Sequence, residues 1–190
     1  MALLDIHLLG DPVLRAPTKP LAAMTPAVTD EVRRLADDML ETMHAAKGIG
    51  LAAPQVGRRE RMFVAEVDDA RLVLVNPEVV ASEGSAKAEE GCLSIPEVYG
   101  DVERAVRVTM RGLNERGEPV EVAAEGLLAR CMLHELDHLD GRLFVDHLSL
   151  LKKKGALARW ERERAKYPAL RRSLVVSPRD LAAQHNDEAL

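Results

Sequence analysis

The sequence predicts an α+β fold in which short antiparallel strands pack around a central helix, with further helices near both ends of the chain. Two observations lead to this class. Apolar residues recur every three to four positions over 26–46 and again over 126–141, which is typical of amphipathic helices. Between these segments, short runs rich in Val, Leu and Met are separated by Gly, Pro and Asn, which is typical of strands and turns.

The first predicted helix, over 26–46, has recognisable signals at both ends. Thr25 can cap its amino end, and Pro26 suits a first helical turn. Gly48 and Gly50 follow the last apolar residues and are expected to end the helix. Several prolines within the first twenty residues predict an extended, turning arm before it.

The middle of the chain holds the strand candidates. Four strands are predicted at 62–67, 72–76, 78–81 and 102–110. Pro77 is expected to separate two of them, because proline cannot donate a hydrogen bond to a neighbouring strand. A turn at 114–117 precedes another strand at 120–123. The segment 89–96 has no clear period and is predicted to be a loop or an irregular strand.

Two helices complete the prediction. The central helix over 126–141 carries the motif described below, and a last helix covers about 148–166 before Pro168. We expect residues 1–170 to form one domain, and we expect 171–190 to be a polar tail to which no role is assigned.

Composition excludes several classes of protein. The chain has 190 residues, 47% of them hydrophobic and 30% charged, which is ordinary for a globular domain. No apolar run is long enough to cross a membrane, so no membrane partner is expected. Charged residues interrupt the start of the chain where a signal peptide needs an apolar core, and two cysteines suit a reducing compartment. We therefore expect a cytoplasmic protein, and a monomer is favoured.

Charge is distributed unevenly. The whole chain carries a net charge of −5, yet residues 152–172 contain nine basic and two acidic residues. One basic segment on an acidic body indicates local attraction to a polyanion. A lysine- and arginine-rich helix that merely faces solvent is the other interpretation.

The strongest functional signal is the run HELDH at 134–138 in the central helix. Residues four apart lie one turn apart on the same face, so His134 and His138 can bind one cation. Glu135 projects beside this pair, where it can act on a water molecule instead of binding the ion. The pattern also occurs in helices that bind nothing, so other residues must support it.

A catalytic metal site of this type needs a third protein ligand. In one class of zinc peptidase the pattern continues to a third histidine, but that position is Phe144 here. In another class a glutamate follows further along the chain, but Glu161 and Glu163 lie among arginines. Neither peptidase pattern is complete.

The two cysteines are the remaining candidates. Cys131 lies seven residues from His138, which is about 10 Å along a helix axis and more than the two side chains can span together. Cys131 is therefore expected to pack beside the site. Cys92 lies in the irregular segment 89–96, which can bring a thiolate to the helix. One cysteine with two histidines leaves a tetrahedral position open for water.

Three segments together resemble the peptide deformylases. The motifs of that family are G-Φ-G-L-A-A-x-Q, E-G-C-L-S and H-E-x-D-H. This sequence has GIGLAAPQ at 48–55, EGCLS at 90–94 and HELDH at 134–138, in the same order. The resemblance implies a metal-dependent hydrolase that removes the N-formyl group from the formylmethionine of newly synthesised proteins and releases formate.

The resemblance also implies roles for individual residues. The metal ligands would be Cys92, His134 and His138. Glu135 would be the general acid and base, while Gln55 and the backbone N–H of Leu93 would donate to the developing oxyanion. Ferrous iron is implied as the single working metal, with zinc, nickel or cobalt as substitutes, although the donor set alone suits zinc.

The resemblance further implies the residues that bind substrate. They would be Ile49, Gly50, Gly91, Tyr99, Leu127 and Cys131. Of these, Ile49, Leu127 and Cys131 would line the apolar slot for the methionine side chain. Two positions depart from the family: Tyr99 stands where many relatives carry arginine, and Arg130 stands where the residue is often aliphatic.

Two partners are implied: formylmethionyl nascent peptides and the ribosome, at which the C-terminal helix of this family docks. The candidate contacts are Lys152, Lys153, Lys154, Arg159 and Arg162. The alternatives are a peptidase acting on unformylated peptides, an inactive protein that binds the ribosome, and a closed structural metal site. Glu135 and Gln55 favour an enzyme, because a binding module needs neither.

Overall fold

Residues 2–174, which a computed structural model describes, form three α-helices and nine strands. This arrangement confirms the predicted α+β class. The helices are α1 (Pro26–Ala45), α2 (Gly126–Leu139) and α3 (Leu150–Glu163). The strands are β1 (Ile6–His7), β2 (Gly50–Ala52), β3 (Met62–Val67), β4 (Ala70–Glu83), β5 (Ala86–Cys92), β6 (Ile95–Arg104), β7 (Arg107–Leu113), β8 (Pro119–Glu125) and β9 (Arg171–Arg172).

Helix α1 begins and ends as its sequence predicts. The Thr25 side chain accepts a hydrogen bond from the Val28 N–H, and Pro26 occupies the first turn. One face is buried, including Val32, Met39 and Met43, and it packs against β2 and β3. The helix therefore covers one side of the main sheet.

The main sheet is antiparallel, with the strand order β2-β3-β4-β7-β8. The prediction that Pro77 separates two strands is wrong, since β4 runs continuously through it. The pairing of β4 with β7 shifts between Val75 and Glu78, so Pro77 lies at a bulge. At the same point Asn76 has a positive φ of 52°, and its side chain bonds both backbone groups of Leu21.

The predicted strand over 102–110 is also wrong, because it spans two strands in different sheets. Strand β6 pairs with β5 in a two-stranded hairpin, whereas β7 pairs with β4 and β8. The chain changes sheets at Val106, whose N–H donates to the carbonyl of Glu83. The segment 89–96 is more regular than predicted, since it contains the end of β5, a turn and the start of β6.

Helix α2 lies against the main sheet, packing on β2, β3 and β8. Its buried residues Ala129 and Met132 join Phe63 and Leu74 of the sheet in one apolar cluster. The helix ends at Leu139, two residues before Gly141, which has a φ of +72°. The central helix is thus held rigidly on one face of the sheet.

Helix α3 and strand β9 close the fold around the N-terminal arm. The buried Trp160 of α3 donates from Nε1 to the carbonyl of Leu9 (3.0 Å). Strand β9 pairs antiparallel with β1, so Arg171 and Arg172 of the predicted tail belong to the folded body. The rest of that tail, from 175, lies outside the described residues. Within the described part, none of the helices is long and apolar enough to cross a membrane.

Replacing Trp160 is expected to destabilise the protein strongly. Trp160→Ala should lower the free energy of unfolding by about 3–5 kcal/mol, because it leaves a cavity and an unpaired carbonyl at Leu9. Urea unfolding followed by circular dichroism measures the change. Leu150→Ala on the same helix, at a side chain that is 89% exposed, serves as the matched control and should change little. Equal effects of the two substitutions would contradict this account of how α3 is anchored.

Candidate metal centre and active site

Helix α2 places two histidines together in the interior. His134 and His138 lie one turn apart, their ring centroids are 5.1 Å apart, and both are buried. A helix has this geometry whenever two residues are four positions apart, so the spacing in the sequence is sufficient to produce it.

The hairpin of β5 and β6 brings the third side chain. The regular pairing of β5 shifts between Gly91 and Cys92, and Cys92 then faces Ile95 across the turn. The Cys92 Sγ lies 3.2 Å from the Nε2 of His138, and the ligand atoms of Cys92, His134 and His138 all lie within 4.8 Å of one another. The structure therefore brings together the three residues that the sequence analysis selected as metal ligands.

This donor set fits a single cation. Thiolate and imidazole ligands suit zinc, iron and related transition metals, and three of them leave a tetrahedral position open. Cys131 does not belong to the cluster, since its Sγ bonds instead to the carbonyl of Ile49 (3.4 Å). The cluster thus matches a catalytic metal site better than a closed structural one.

Glu90 orients His134 from the far side of the cluster. Its Oε2 lies 3.0 Å from the Nδ1 of His134, which leaves the Nε2 of that ring free for the cluster. Burial by itself would raise the pKa of Glu90. Hydrogen bonds from His134 and Arg104 outweigh the burial and hold this pKa well below its usual range, so the carboxylate stays ionised.

Arg104 connects this carboxylate to helix α2. Its guanidinium donates twice to Glu90, at 2.6 and 2.9 Å, and once to Asp137 at 2.8 Å. All three side chains are almost fully buried. Asp137 also lies 2.7 Å from the Nε2 of His147. The network ties the hairpin to α2 through ion pairs rather than through apolar packing alone.

Sequence reasoning assigned no role to Glu90, Arg104 or Asp137. A signal was present at Arg104, which is two residues from the buried Val102 on the same strand and therefore faces the interior. A charged residue at an inward-facing strand position indicates a buried partner of opposite charge.

Glu135 lies beside the cluster and is nearly inaccessible to solvent. Desolvation raises the pKa of this carboxyl to about 7, although His134 and Arg104 act in the opposite direction. Its Oε2 is buried and bonds to none of the described residues. A carboxyl group in this state is suited to accepting and donating a proton near neutral pH.

Gln55 is held beside Cys92 by the backbone around it. Its Oε1 accepts from the N–H of Ala52 (2.7 Å), which turns the amide nitrogen towards Ser94 (3.2 Å) and the Cys92 Sγ (3.6 Å). The side chain is 1% exposed. An amide N–H is therefore fixed next to the cluster before any ligand arrives.

A cavity of about 520 Å³ opens onto this cluster. It is lined by all the residues predicted to bind substrate, namely Ile49, Gly50, Gly91, Tyr99, Leu127 and Cys131, and by Leu93. Gly50 cannot carry a larger side chain, because a Cβ there would collide with the Glu135 carboxylate and lie 2.6 Å from the Cys131 Sγ. Gly91 is similarly constrained by the ring of Tyr99, at 2.7 Å.

Arg130 also lines the cavity, but it is held against the hairpin. It donates to Glu90 Oε1 (2.7 Å) and to the backbone carbonyls of Val102 (2.9 Å) and Ala86 (2.7 Å). The residue that departs from the family pattern is thus a third connection between α2 and the hairpin.

An open metal position beside a buried carboxylate is suited to attack by water on a carbonyl carbon, and that chemistry defines the class of this protein as a metal-dependent hydrolase. The family model of the polypeptide deformylases matches residues 3–154. The chain belongs to the polypeptide deformylase family, and the resemblance that its three motifs indicate is confirmed.

Individual relatives agree with the family match. The chain is 56% identical to a peptide deformylase of Alkalilimnicola ehrlichii over 158 residues, covering 81% of this chain and 86% of that one. It is 46% identical to the peptide deformylase of Nitrosococcus oceani over 157 residues, covering 81% and 92%. The crystal structure of a peptide deformylase from Legionella pneumophila superposes with a TM-score of 0.78 at 42% identity, covering 88% of this chain and all of that one. The protein is therefore a hydrolase that removes the N-formyl group from newly synthesised peptides.

Loss of the Glu90 carboxylate is expected to weaken metal binding. Glu90→Gln should reduce metal affinity by about 10- to 100-fold, because the group that fixes the His134 ring loses its charge. Competition with a chelator measures the affinity. Glu89→Gln changes the neighbouring, exposed carboxylate and should leave the affinity unchanged. Unaltered affinity in Glu90→Gln would show that the ring is oriented by other contacts.

Proposed function

We propose that Cys92, His134 and His138 hold the metal ion and that Glu135 is the general acid and base of deformylation. The observation that supports this most directly is the clustering of three ligand atoms within 4.8 Å beside a buried carboxyl group. When bound, the ion supplies Lewis acidity that activates water and stabilises negative charge on oxygen.

Glu135 moves the proton between the two halves of the reaction. Its carboxylate takes a proton from the water that attacks the formyl carbon. It then gives that proton to the amino nitrogen as the C–N bond breaks, so formate and a free amino terminus are released. A pKa of about 7 suits both steps, because neither protonation state is then strongly favoured near neutral pH.

Gln55 and the backbone N–H of Leu93 stabilise the oxyanion in this proposal. The formyl oxygen gains charge as water attacks, and N–H donors already in place stabilise that charge without rearrangement. The Gln55 amide is fixed by Ala52 and Ser94, and Leu93 follows Cys92 in the turn after β5. Both residues line the cavity.

The cavity accommodates the methionine side chain and the adjoining backbone. Ile49, Leu127 and Cys131 form the apolar slot, and the lack of side chains at Gly50 and Gly91 allows the peptide to come close to the cluster. Tyr99, which is 56% exposed at the cavity, contacts the residues that follow methionine.

We assign ferrous iron as the physiological metal, as the sequence resemblance implies. Zinc, nickel or cobalt can take its place, because a thiolate with two imidazoles binds each of these ions. We favour a monomeric enzyme, and we extend its catalytic unit through β9 because Arg172 of that strand lines the cavity. We place the enzyme in the cytoplasm, where its nascent substrates are made.

Removing the Glu135 carboxylate is expected to abolish turnover while the metal is retained. Glu135→Ala should lower kcat by about 10²- to 10⁴-fold, since it removes the carboxyl group that moves the proton in this proposal. Formate release from a short formyl-Met peptide, under anaerobic conditions with ferrous iron, measures the effect. Glu121→Ala, on the exposed face of β8, is the control and should retain full activity. If Glu135→Ala keeps more than about a tenth of the activity, the assigned role is wrong.

Helix α3 supports the proposed docking at the ribosome. Two of its lysines are paired within the fold, Lys152 with Asp101 and Lys153 with Asp146. Among residues 2–174, no carboxylate lies within 4.0 Å of the other cations, Lys154, Arg159 and Arg162. These three are therefore the residues available to bind phosphate groups of ribosomal RNA.

Neutralising these three cations is expected to weaken ribosome binding. The triple change of Lys154, Arg159 and Arg162 to Gln should reduce co-sedimentation with ribosomes and make it less sensitive to salt. A matched triple change of Arg107, Arg111 and Arg116 to Gln removes the same charge elsewhere on the surface. Equal binding by the two variants would show that α3 makes no specific contact.

A further inference from the structure

Strand β9 brings a positive charge to the cavity from outside the part of the chain that the family model matches. That match ends at residue 154, whereas Arg172 lies eighteen residues later and lines the cavity. Its backbone is fixed by antiparallel pairing with Ile6 of β1. The adjoining chain is held as well, because the Leu8 N–H donates to the carbonyl of Leu170 (2.8 Å).

The pairing register determines the face on which Arg172 lies. Paired residues of antiparallel strands project to the same face of a sheet, so Arg172 shares a face with Ile6. Ile6 is fully buried and packs in one apolar cluster with Ala46 and Ile95, both of which line the cavity. Leu170, two residues before Arg172, packs against the same cluster. Arg172 thus occupies an inward-facing position beside apolar residues.

The charge of Arg172 is not neutralised within the described residues. None of the carboxylates in residues 2–174 lies within 4.0 Å of it, although the residue is only partly exposed. Arg130, in contrast, is paired with Glu90 in the same cavity. Lys47 is a third cation of the lining, while Glu89 and Glu97 are exposed carboxylates on it. A partly buried guanidinium without a partner attracts an anionic group.

The location of Arg172 indicates which part of the substrate it meets. Arg172 lies beside the cluster of Ile6, Ala46 and Ile95, whereas Cys131 of the methionine slot belongs to a separate apolar cluster. Peptide residues after the methionine leave the slot and pass the remaining walls of the cavity. In a nascent chain, the anionic groups at these positions are the side chains of aspartate and glutamate.

We propose that Arg172 binds an acidic side chain among the residues that follow formylmethionine, so that the enzyme favours nascent chains with Asp or Glu near their start. The proposal rests on the proposed function of the cavity as the peptide site. It makes Arg172 a specificity-determining residue supplied by the C-terminal strand.

Matched peptides test the preference. Short formyl-Met peptides with an amidated C-terminus carry either Asp or Asn at the second, third or fourth residue and are otherwise neutral. At one of these positions the wild-type enzyme should show a kcat/KM about two- to fivefold higher for Asp, as expected for a partly exposed ion pair. Added salt should reduce this ratio. A ratio near one at every position would overturn the proposal.

Two neighbouring arginines provide the variant and its control. Arg172→Gln should bring the ratio for Asp over Asn to about one, since the ion pair is lost. Arg171→Gln removes the same charge from the same strand, but Arg171 is an exposed residue that pairs with His7 on the opposite face and interacts with Asp11. This control should keep the wild-type ratio. An unchanged ratio in Arg172→Gln would overturn the proposal, even if KM rose equally for all peptides.

Reversal of the charge gives an independent test. Arg172→Glu should favour a peptide with Lys over one with Gln at the same position, and absence of this reversal would count against a direct contact. Failure of the wild-type enzyme to release formate from any peptide, including the neutral one, would instead contradict the proposed function. The two failures are therefore distinguishable.

Discussion

The buried ion pairs of Arg104 are the interaction on which the rest of the site depends. One guanidinium bonds both Glu90 on the hairpin and Asp137 on α2. These bonds fix the distance between the hairpin and the helix. Such a network is stabilising only when every member is satisfied, and the loss of one member leaves a buried charge. Glu90, which Arg104 holds in place, orients the His134 ring, and the hairpin that Arg104 ties to α2 carries Cys92.

The residues of the site come from both regular and irregular backbone. A helix sets the spacing of two histidines by its own geometry, but it cannot bring a third donor to the same point. The register shift at Cys92 supplies that donor, and the short helical turn around Gln55 supplies an amide. Regular structure thus provides the fixed frame, and irregular structure provides groups that must approach it from other directions.

The sequence predicts the regular helices better than the irregular parts of the fold. Helices α1 and α2 could be predicted because the period of their apolar residues is local in the sequence, and α1 has a local capping residue as well, Thr25. The bounds of β3 were also predicted correctly, at 62–67. Those of β4, β6 and β7 could not be predicted, because Pro77 is tolerated through a bulge and the sheets change at Val106, and both depend on partner strands. The motifs identified the residues of the cluster. No role was predicted for Glu90 or Asp137, because their partners, such as Arg104, are distant from them in the sequence.

The pairing of β1 with β9 has a consequence for the synthesis of this enzyme. Strand β1 receives its only described partner strand from residues near position 172, so the ribosome must synthesise every residue up to Arg172 before β1 can pair fully. Contacts between distant parts of a chain also form slowly, because a large loop must close. Until then, the cavity lacks Arg172, the residue of β9 that lines it.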